Sequence, residues 1–337
     1  MTTMKHAVSK PNSIQALLRF REVALLIFII MLCLVISLES PTFLTFNNFS
    51  DILLDISVLA MVALAQAMII TTRGIDLSVA SMLGLTAMMT SFTIRAYPHT
   101  PVGLIVLLGM ALGFILGSLN GLLITKGKVP PIIATLGTLS IYRGLIFLYS
   151  NGNWINAFEL PAAFKQLAKG TSLVLPNLVW VAIFVAVIVY LFLNYTQAGR
   201  DIYALGTNPE AAKISGIRTE WVIMMVYMIS GGICGLAGVM WASRFEAAQT
   251  NTALGFELQT VAASVIGGVS MLGGIGTVPG VLLGALLLGI IQNGLTLSSI
   301  SPFWQGAVQG FLILLAVVSD SSLQQRVRQT FTRRIPQ

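Results

Sequence analysis

Long apolar runs separated by short polar stretches recur along the chain, and their lengths suit membrane-spanning helices. About ten are read, at 23–38, 52–72, 77–95, 101–125, 129–149, 174–193, 221–242, 257–273, 276–295 and 303–319. The fold predicted is an all-α polytopic membrane protein, because a spanning helix satisfies its backbone polar groups internally. The fifth, eighth and ninth runs are the least regular, being polar or rich in glycine. The first is similar to a signal-peptide core but lacks a small-residue cleavage site, so it reads as a retained anchor. The division expected is an N-terminal tail over 1–22, a membrane domain over 23–320 containing a polar loop at 194–220, and a basic tail over 321–337.

Lysine and arginine placement orients these runs. With both termini in the cytoplasm, the inner segments hold Lys5, Lys10, Arg19, Arg21, Arg73, Lys126, Lys128, Arg200, Lys213, Arg218, Arg326, Arg328, Arg333 and Arg334. The outer segments hold Arg95, Lys165, Lys169 and Arg244, and Arg143 falls inside the fifth run. Fourteen against four follows the positive-inside bias and requires an even number of spans.

Within the runs, Gly113, Gly117 and Gly121 recur every fourth residue, as do Gly276, Gly280 and Gly284, and Gly231 pairs with Gly235. Small residues at that spacing let helix backbones approach closely in lipid. A denser cluster, Gly267, Gly268, Gly273, Gly274 and Gly276, disfavours a regular helix and predicts a broken or re-entrant segment.

The polar stretch from Ala198 to Ile217 carries its own helix punctuation. Asn208 is a good N-cap, Pro209 suits the first helical position, and Gly216 suits the left-handed residue after the end. Glu210 and Lys213 lie at the ends the helix dipole favours. A helix over Pro209 to Ser215 is about 10 Å long and cannot cross a hydrocarbon core of about 30 Å. Such an element is built to be gripped from outside the membrane.

Composition narrows the chemistry. Of 337 residues, 56% are hydrophobic and 9% charged, with a mean hydropathy of +0.87, against about 25% charged in a soluble domain. The net charge of +7 sits outside the apolar runs without a basic–aromatic patch, so it does not indicate nucleic acid. Cys33 and Cys234 lie within apolar runs, which argues against a disulfide framework or a metal site. No P-loop, zinc-protease motif or nucleophile elbow is present, so an enzyme fits poorly and no cofactor is expected on this chain.

Arg73-Gly74-Ile75-Asp76-Leu77-Ser78-Val79 resembles a signature of the ribose-type permeases of bacterial ATP-binding-cassette importers. Ala198-Gly199-Arg200 with Ala204 to Pro209, Ala211-Ala212 and Ser215-Gly216-Ile217 resembles the cytoplasmic loop of the same family. Gly255 to Leu258, Ala262 to Gly268, Gly273 to Thr277 and Gln292-Asn293-Gly294-Leu295 resemble its later motifs. The resemblance runs from about residue 45 to 320, and Ala80 and Gln259 depart from it, where glycine and aspartate are frequent.

It implies import of a sugar or sugar-like solute through a pathway made with a second permease chain, homo- or heterodimeric, in the bacterial inner membrane. Separate cytoplasmic P-loop ATPase subunits would hold ATP and magnesium, and a periplasmic or extracellular sugar-binding protein would deliver the solute. Asn208, Pro209, Glu210, Ala211, Ala212, Lys213, Ser215 and Gly216 would then form the element coupled to the ATPase.

Candidates for the solute path are Gln66, Asp76, Asn120, Gln292 and Asn293. Each has a plainer reading: Asp76 as a cap of the third span, and the amides as interhelical hydrogen-bonding groups. Two outer segments, Asn151 to Phe158 and Ser243 to Phe256, are candidates for contact with a binding protein. An ATP-binding-cassette permease for nucleosides or branched-chain amino acids is the alternative, though few charges within the spans favour a neutral solute. An ion-coupled carrier would call for internal repeats and intramembrane ionisable groups, and the chain has no convincing repeat and few such groups.

Overall fold

The computed structural model describes residues 13–300 and part of 304–314. Its helices follow in chain order: α1 (Ser13–Glu39), α2 (Phe46–Thr71), α3 (Val79–Ala96), α4 (Val102–Thr125) and α5 (Pro131–Ser150). A 3-10 turn (Ala157–Glu159), α6 (Ala162–Lys169) and a short antiparallel hairpin of β1 (Thr171–Ser172) and β2 (Leu175–Pro176) lead into α7 (Asn177–Tyr195). Next come α8 (Gln197–Thr207), α9 (Pro209–Ile214), α10 (Thr219–Phe245), α11 (Phe256–Ile266) and α12 (Val278–Leu297).

Eight of these helices are long and apolar enough to cross a membrane: α1, α2, α3, α4, α5, α7, α10 and α12. The expected span at 303–319 falls largely outside the described residues. The eighth run, read as one span over 257–273, is not one helix. Helix α11 stops at Ile266 after 11 residues, about 16 Å, and the chain turns through Gly268, Gly273 and Gly274, all at positive φ, before α12 begins. Gly276 lies in that link rather than on the helix with Gly280 and Gly284.

Helices α2, α3 and α10 form the buried centre, filled by Met61, Leu64, Met68, Met82, Leu83, Met88 and Tyr227. A smaller cluster of Ile29, Ile36, Ile52, Leu287 and Ile290 joins α1, α2 and α12.

The glycine spacing sets how closely α4 and α10 pack. A Cβ built on Gly113 would lie 2.7 Å from the Gly235 nitrogen and 2.8 Å from its Cα; one on Gly117 would lie 2.9 Å from the Gly231 Cα. Backbone therefore meets backbone along the seam, with no side chain between. Gly284 repeats this against the end of α11, where an added Cβ would lie 2.8 Å from the Gly267 nitrogen.

Candidate coupling and translocation site

The polar loop folds as two helices. Thr196 caps α8 by accepting the Gly199 amide at 3.0 Å, and Ile202, Leu205 and Gly206 form its buried side. Asn208 then ends α8 and starts α9: its side-chain oxygen accepts the Glu210 and Ala211 amides, each at 3.1 Å. Gly216, at φ 85°, closes α9, with the Ile217 amide reaching back to the Ala212 carbonyl at 3.1 Å. Ala212 is the buried residue of α9, while Asn208, Glu210, Ala211, Lys213, Ser215 and Gly216 are exposed and Pro209 is half-buried. The sequence reading passed over Ile214, which is 88% exposed. Its place at the end of a capped helix is the signal that could have found it.

Helix α8, the end of α2 and the Gly-rich link are fastened together by hydrogen bonds to main-chain carbonyls. The Tyr203 hydroxyl donates to the Gly276 carbonyl at 2.9 Å, and the Gly274 amide donates to the Thr71 carbonyl at 2.9 Å. The Arg73 guanidinium donates to the Gly206 carbonyl at 2.6 Å and to the Thr207 carbonyl at 2.8 Å. On the other side of the Gly-rich link, α1 contributes Arg21, which donates to the Val265 carbonyl at 3.3 Å, and Glu22, which accepts the Thr277 hydroxyl.

Three of the five path candidates come together in one buried cluster. With its amide assigned by its partners, Gln66 donates to the Asp76 carbonyl at 3.0 Å and accepts the Asp76 amide at 3.2 Å. The Asp76 carboxylate accepts the Ser78 amide at 2.8 Å and the Ser78 hydroxyl at 2.6 Å. Asn120 donates to Ser78 Oγ at 2.8 Å and to Asp76 Oδ2 at 3.4 Å. Asp76 is thus not the helix cap itself. Ser78 occupies that position, and Asp76 braces the turn that leads to it. Burial pushes the Asp76 carboxyl up to about 6, against the Ser78 and Asn120 donors, which pull it down. Around the cluster, the Tyr142 hydroxyl donates to the Leu116 carbonyl at 2.8 Å, and Thr135 Oγ1 lies 3.2 Å from the Ile75 carbonyl. The Tyr227 hydroxyl is buried without a partner among the described residues; a Cβ on Gly74 would lie 3.0 Å from it.

Asn293 and Gln292 are elsewhere. Asn293 exchanges amide hydrogen bonds with Asn48 at 2.8 and 3.1 Å, and Gln292 is exposed on α12. Asn48 and Gln66 share α2, and 18 residues of helix place them about 27 Å apart. The candidates therefore occupy opposite ends of α2 and do not form a single lining.

Residues 151–158 and 243–256, the two candidates for contact with a binding protein, do meet. Ile155 pairs with Ala248 as an isolated β-bridge, and the Trp154 indole donates to Thr250 at 3.4 Å. Ser243 pins α6 to α10 by accepting the Ala168 amide at 2.9 Å and donating to the Phe164 carbonyl at 2.6 Å. Lys169 pairs with Glu246 at 2.8 Å, and Phe158 stands 85% exposed. Arg143, on α5, donates to the Thr252 carbonyl at 2.6 Å, tying that helix to the second segment.

Residues 48–317 match the family described as branched-chain amino acid transport system / permease component. The ribose import permease protein of Escherichia coli (strain K12) is 37% identical over 301 residues, covering 89% of this chain and 93% of that one. The galactose/methyl galactoside import permease protein of the same strain is 34% identical, covering 93% and 98%. The autoinducer 2 import system permease protein of Salmonella typhi is 34% identical, covering 93% and 89%. No solved structure matches the chain. A polytopic all-α chain with a capped helix outside its spans, matched nearly end to end by import permeases, belongs to this permease family of ATP-binding-cassette importers.

Proposed function

We propose that this chain is the membrane-spanning subunit of an importer for a sugar or sugar-like solute, driven by ATP hydrolysed in a separate subunit. The relatives are named for ribose, galactose and autoinducer 2, and this supports a polyhydroxylated neutral solute over an amino acid. Two permease chains enclose the path, a P-loop ATPase docks on the cytoplasmic face, and a binding protein docks on the outer face. Both termini are cytoplasmic, with the membrane domain running over 23–320, the 194–220 loop inside, and tails at 1–22 and 321–337.

The observation that carries this reading is α9. It is capped at both ends, anchored through Ala212, and presents Glu210, Lys213 and the exposed apolar Ile214 outward. A single aliphatic side chain standing out from a rigid helix outside the spans can fill a partner's apolar socket, and the charges beside it set register. Rigid capping suits a lever, because a loose loop would absorb the displacement it should transmit.

The test is affinity purification of the tagged chain from its own membranes in mild detergent. The expected result is recovery of a P-loop ATPase in near-equal amount, lost in an Ile214→Asp, Lys213→Glu double variant that still inserts. Recovery of the wild-type chain without an ATPase, under conditions that preserve known importers, refutes the proposal.

A further inference from the structure

Arg73 is held at φ 67°, in the left-handed region that side chains other than glycine rarely adopt. Such a backbone persists where the surroundings over-determine it. Here they do. The guanidinium fork is spent on the carbonyls of Gly206 and Thr207, among the last of α8 and without partners inside that helix. Gly273 packs on the Arg73 side chain, where a Cβ would lie 2.5 Å from Cγ, and Gly274 packs on Thr207, where one would lie 2.8 Å from Cα. The end of α2, the end of α8 and the α11–α12 link thus meet at one residue.

The position of this joint matters more than its strength. On one side, α9 begins at Pro209, two residues beyond the second carbonyl that Arg73 holds. On the other, Asp76 follows three residues later and is fastened to Gln66 on α2 and Asn120 on α4. We propose that Arg73 is a positioning residue that carries displacement of α9 into the α2–α3 connection, so that α3 moves with α9. The proposal rests on the reading of α9 as the element an ATPase grips. It adds the route by which that grip reaches the bundle, and it distinguishes a transmission joint from a simple cap on α8.

Two spin-label distance measurements test it, on the permease–ATPase complex in nanodiscs with and without ATP, after replacement of Cys33 and Cys234. One pair, Arg218→Cys with Tyr195→Cys, reads the exit of α9 against α7, Arg218 being exposed and outside the element the ATPase grips. The other, Tyr97→Cys with Tyr195→Cys, reads the far end of α3 against α7; Tyr97 and Tyr195 are 68% and 70% exposed. ATP is expected to shift both distances in the parent chain. In Arg73→Gln the α9 shift persists and the α3 shift is lost. Arg73→Gly, which accepts the left-handed backbone without strain and leaves no cavity because Arg73 is exposed, gives the same separation. A helix cap alone would not divide the two readouts. An α3 shift that survives in both variants, or that is missing from the parent while α9 moves, overturns the role of Arg73. A parent complex in which neither pair responds overturns the coupling reading of α9 instead.

Discussion

Replacing Gly113 with alanine adds a single methyl group to the α4–α10 seam, where the new Cβ would stand 2.7 Å from the Gly235 nitrogen. Ordinary contact at carbon begins near 3.4 Å, so the helices must separate by about 0.7 Å or more at this point, and further at the Gly231 carbonyl. No rotamer change can relieve the clash, because every obstructing atom is backbone. Overpacking costs ~1–3 kcal/mol, and a rigid obstruction places this site near the upper end. Spreading the seam also weakens dispersion along its length, since a gap of ~0.5–1 Å forfeits a quarter to a half of each contact. With an unfolding entropy of ~2.1 cal/mol/K per residue over 337 residues, 3 kcal/mol lowers the melting temperature by about 4 °C. The shift is larger if helices survive unfolding and the entropy is smaller. The assay is thermal unfolding in nanodiscs, followed by tryptophan fluorescence, with Gly137→Ala as control because nothing lies within 4 Å of a Cβ there. Equal melting of Gly113→Ala and Gly137→Ala would refute backbone contact as the basis of the seam.

Asp76 makes stability depend on pH. Its carboxyl is raised from 3.8 to about 6 in the fold, so the folded chain binds the proton more tightly than the unfolded chain. Stability therefore rises as pH falls from about 6 to about 4, by an amount on the order of 2–3 kcal/mol, and Asp76→Asn flattens the profile; matching pH–melting curves for parent and variant would count against this. The Asn48–Asn293 pair should yield a coupling energy of about 0.6–1.7 kcal/mol in a double-mutant cycle with alanine, and an additive cycle would deny the pair any role in joining α2 to α12. Lys213→Cys should react with a membrane-impermeant thiol reagent only when the cytoplasmic side is open to it, and Lys169→Cys only from outside; the reverse pattern inverts the topology.

What could be read from the residues followed from what lipid demands of them. Spanning helices need long apolar runs, and the eight long helices among the described residues all lie close to runs visible in the hydropathy. The α4–α10 seam was legible because close approach leaves only glycine as an option at Gly113, Gly117 and Gly231. Helix α9 announced itself through Asn208, Pro209 and Gly216. Helix α8 did not, although Thr196 followed by Ile202 and Leu205 was a usable signal for a capped helix with one apolar side. The eighth run was drawn too long because its apolar content continues past Ile266 while its helix does not; the break itself was legible in the glycine cluster, of which Gly268, Gly273 and Gly274 take positive φ. Asn48 went unremarked because its partner lies 245 residues away. The grip of Arg73 was beyond reach for another reason: it holds main-chain carbonyls, and a carbonyl leaves no trace in residue type.

The non-helical link between α11 and α12 has a consequence for how the chain is made. The amides and carbonyls freed where the helix stops need partners, and in this link other parts of the chain supply them. The partners come from segments distant in the sequence: Thr71 at the end of α2, Tyr203 on α8, and Arg21 and Glu22 on α1. All of these leave the ribosome earlier than residue 267. The order of synthesis therefore has the partners made before the groups that need them. A circular permutant that made α11 and α12 first would hold those polar groups without partners until the rest of the chain arrived.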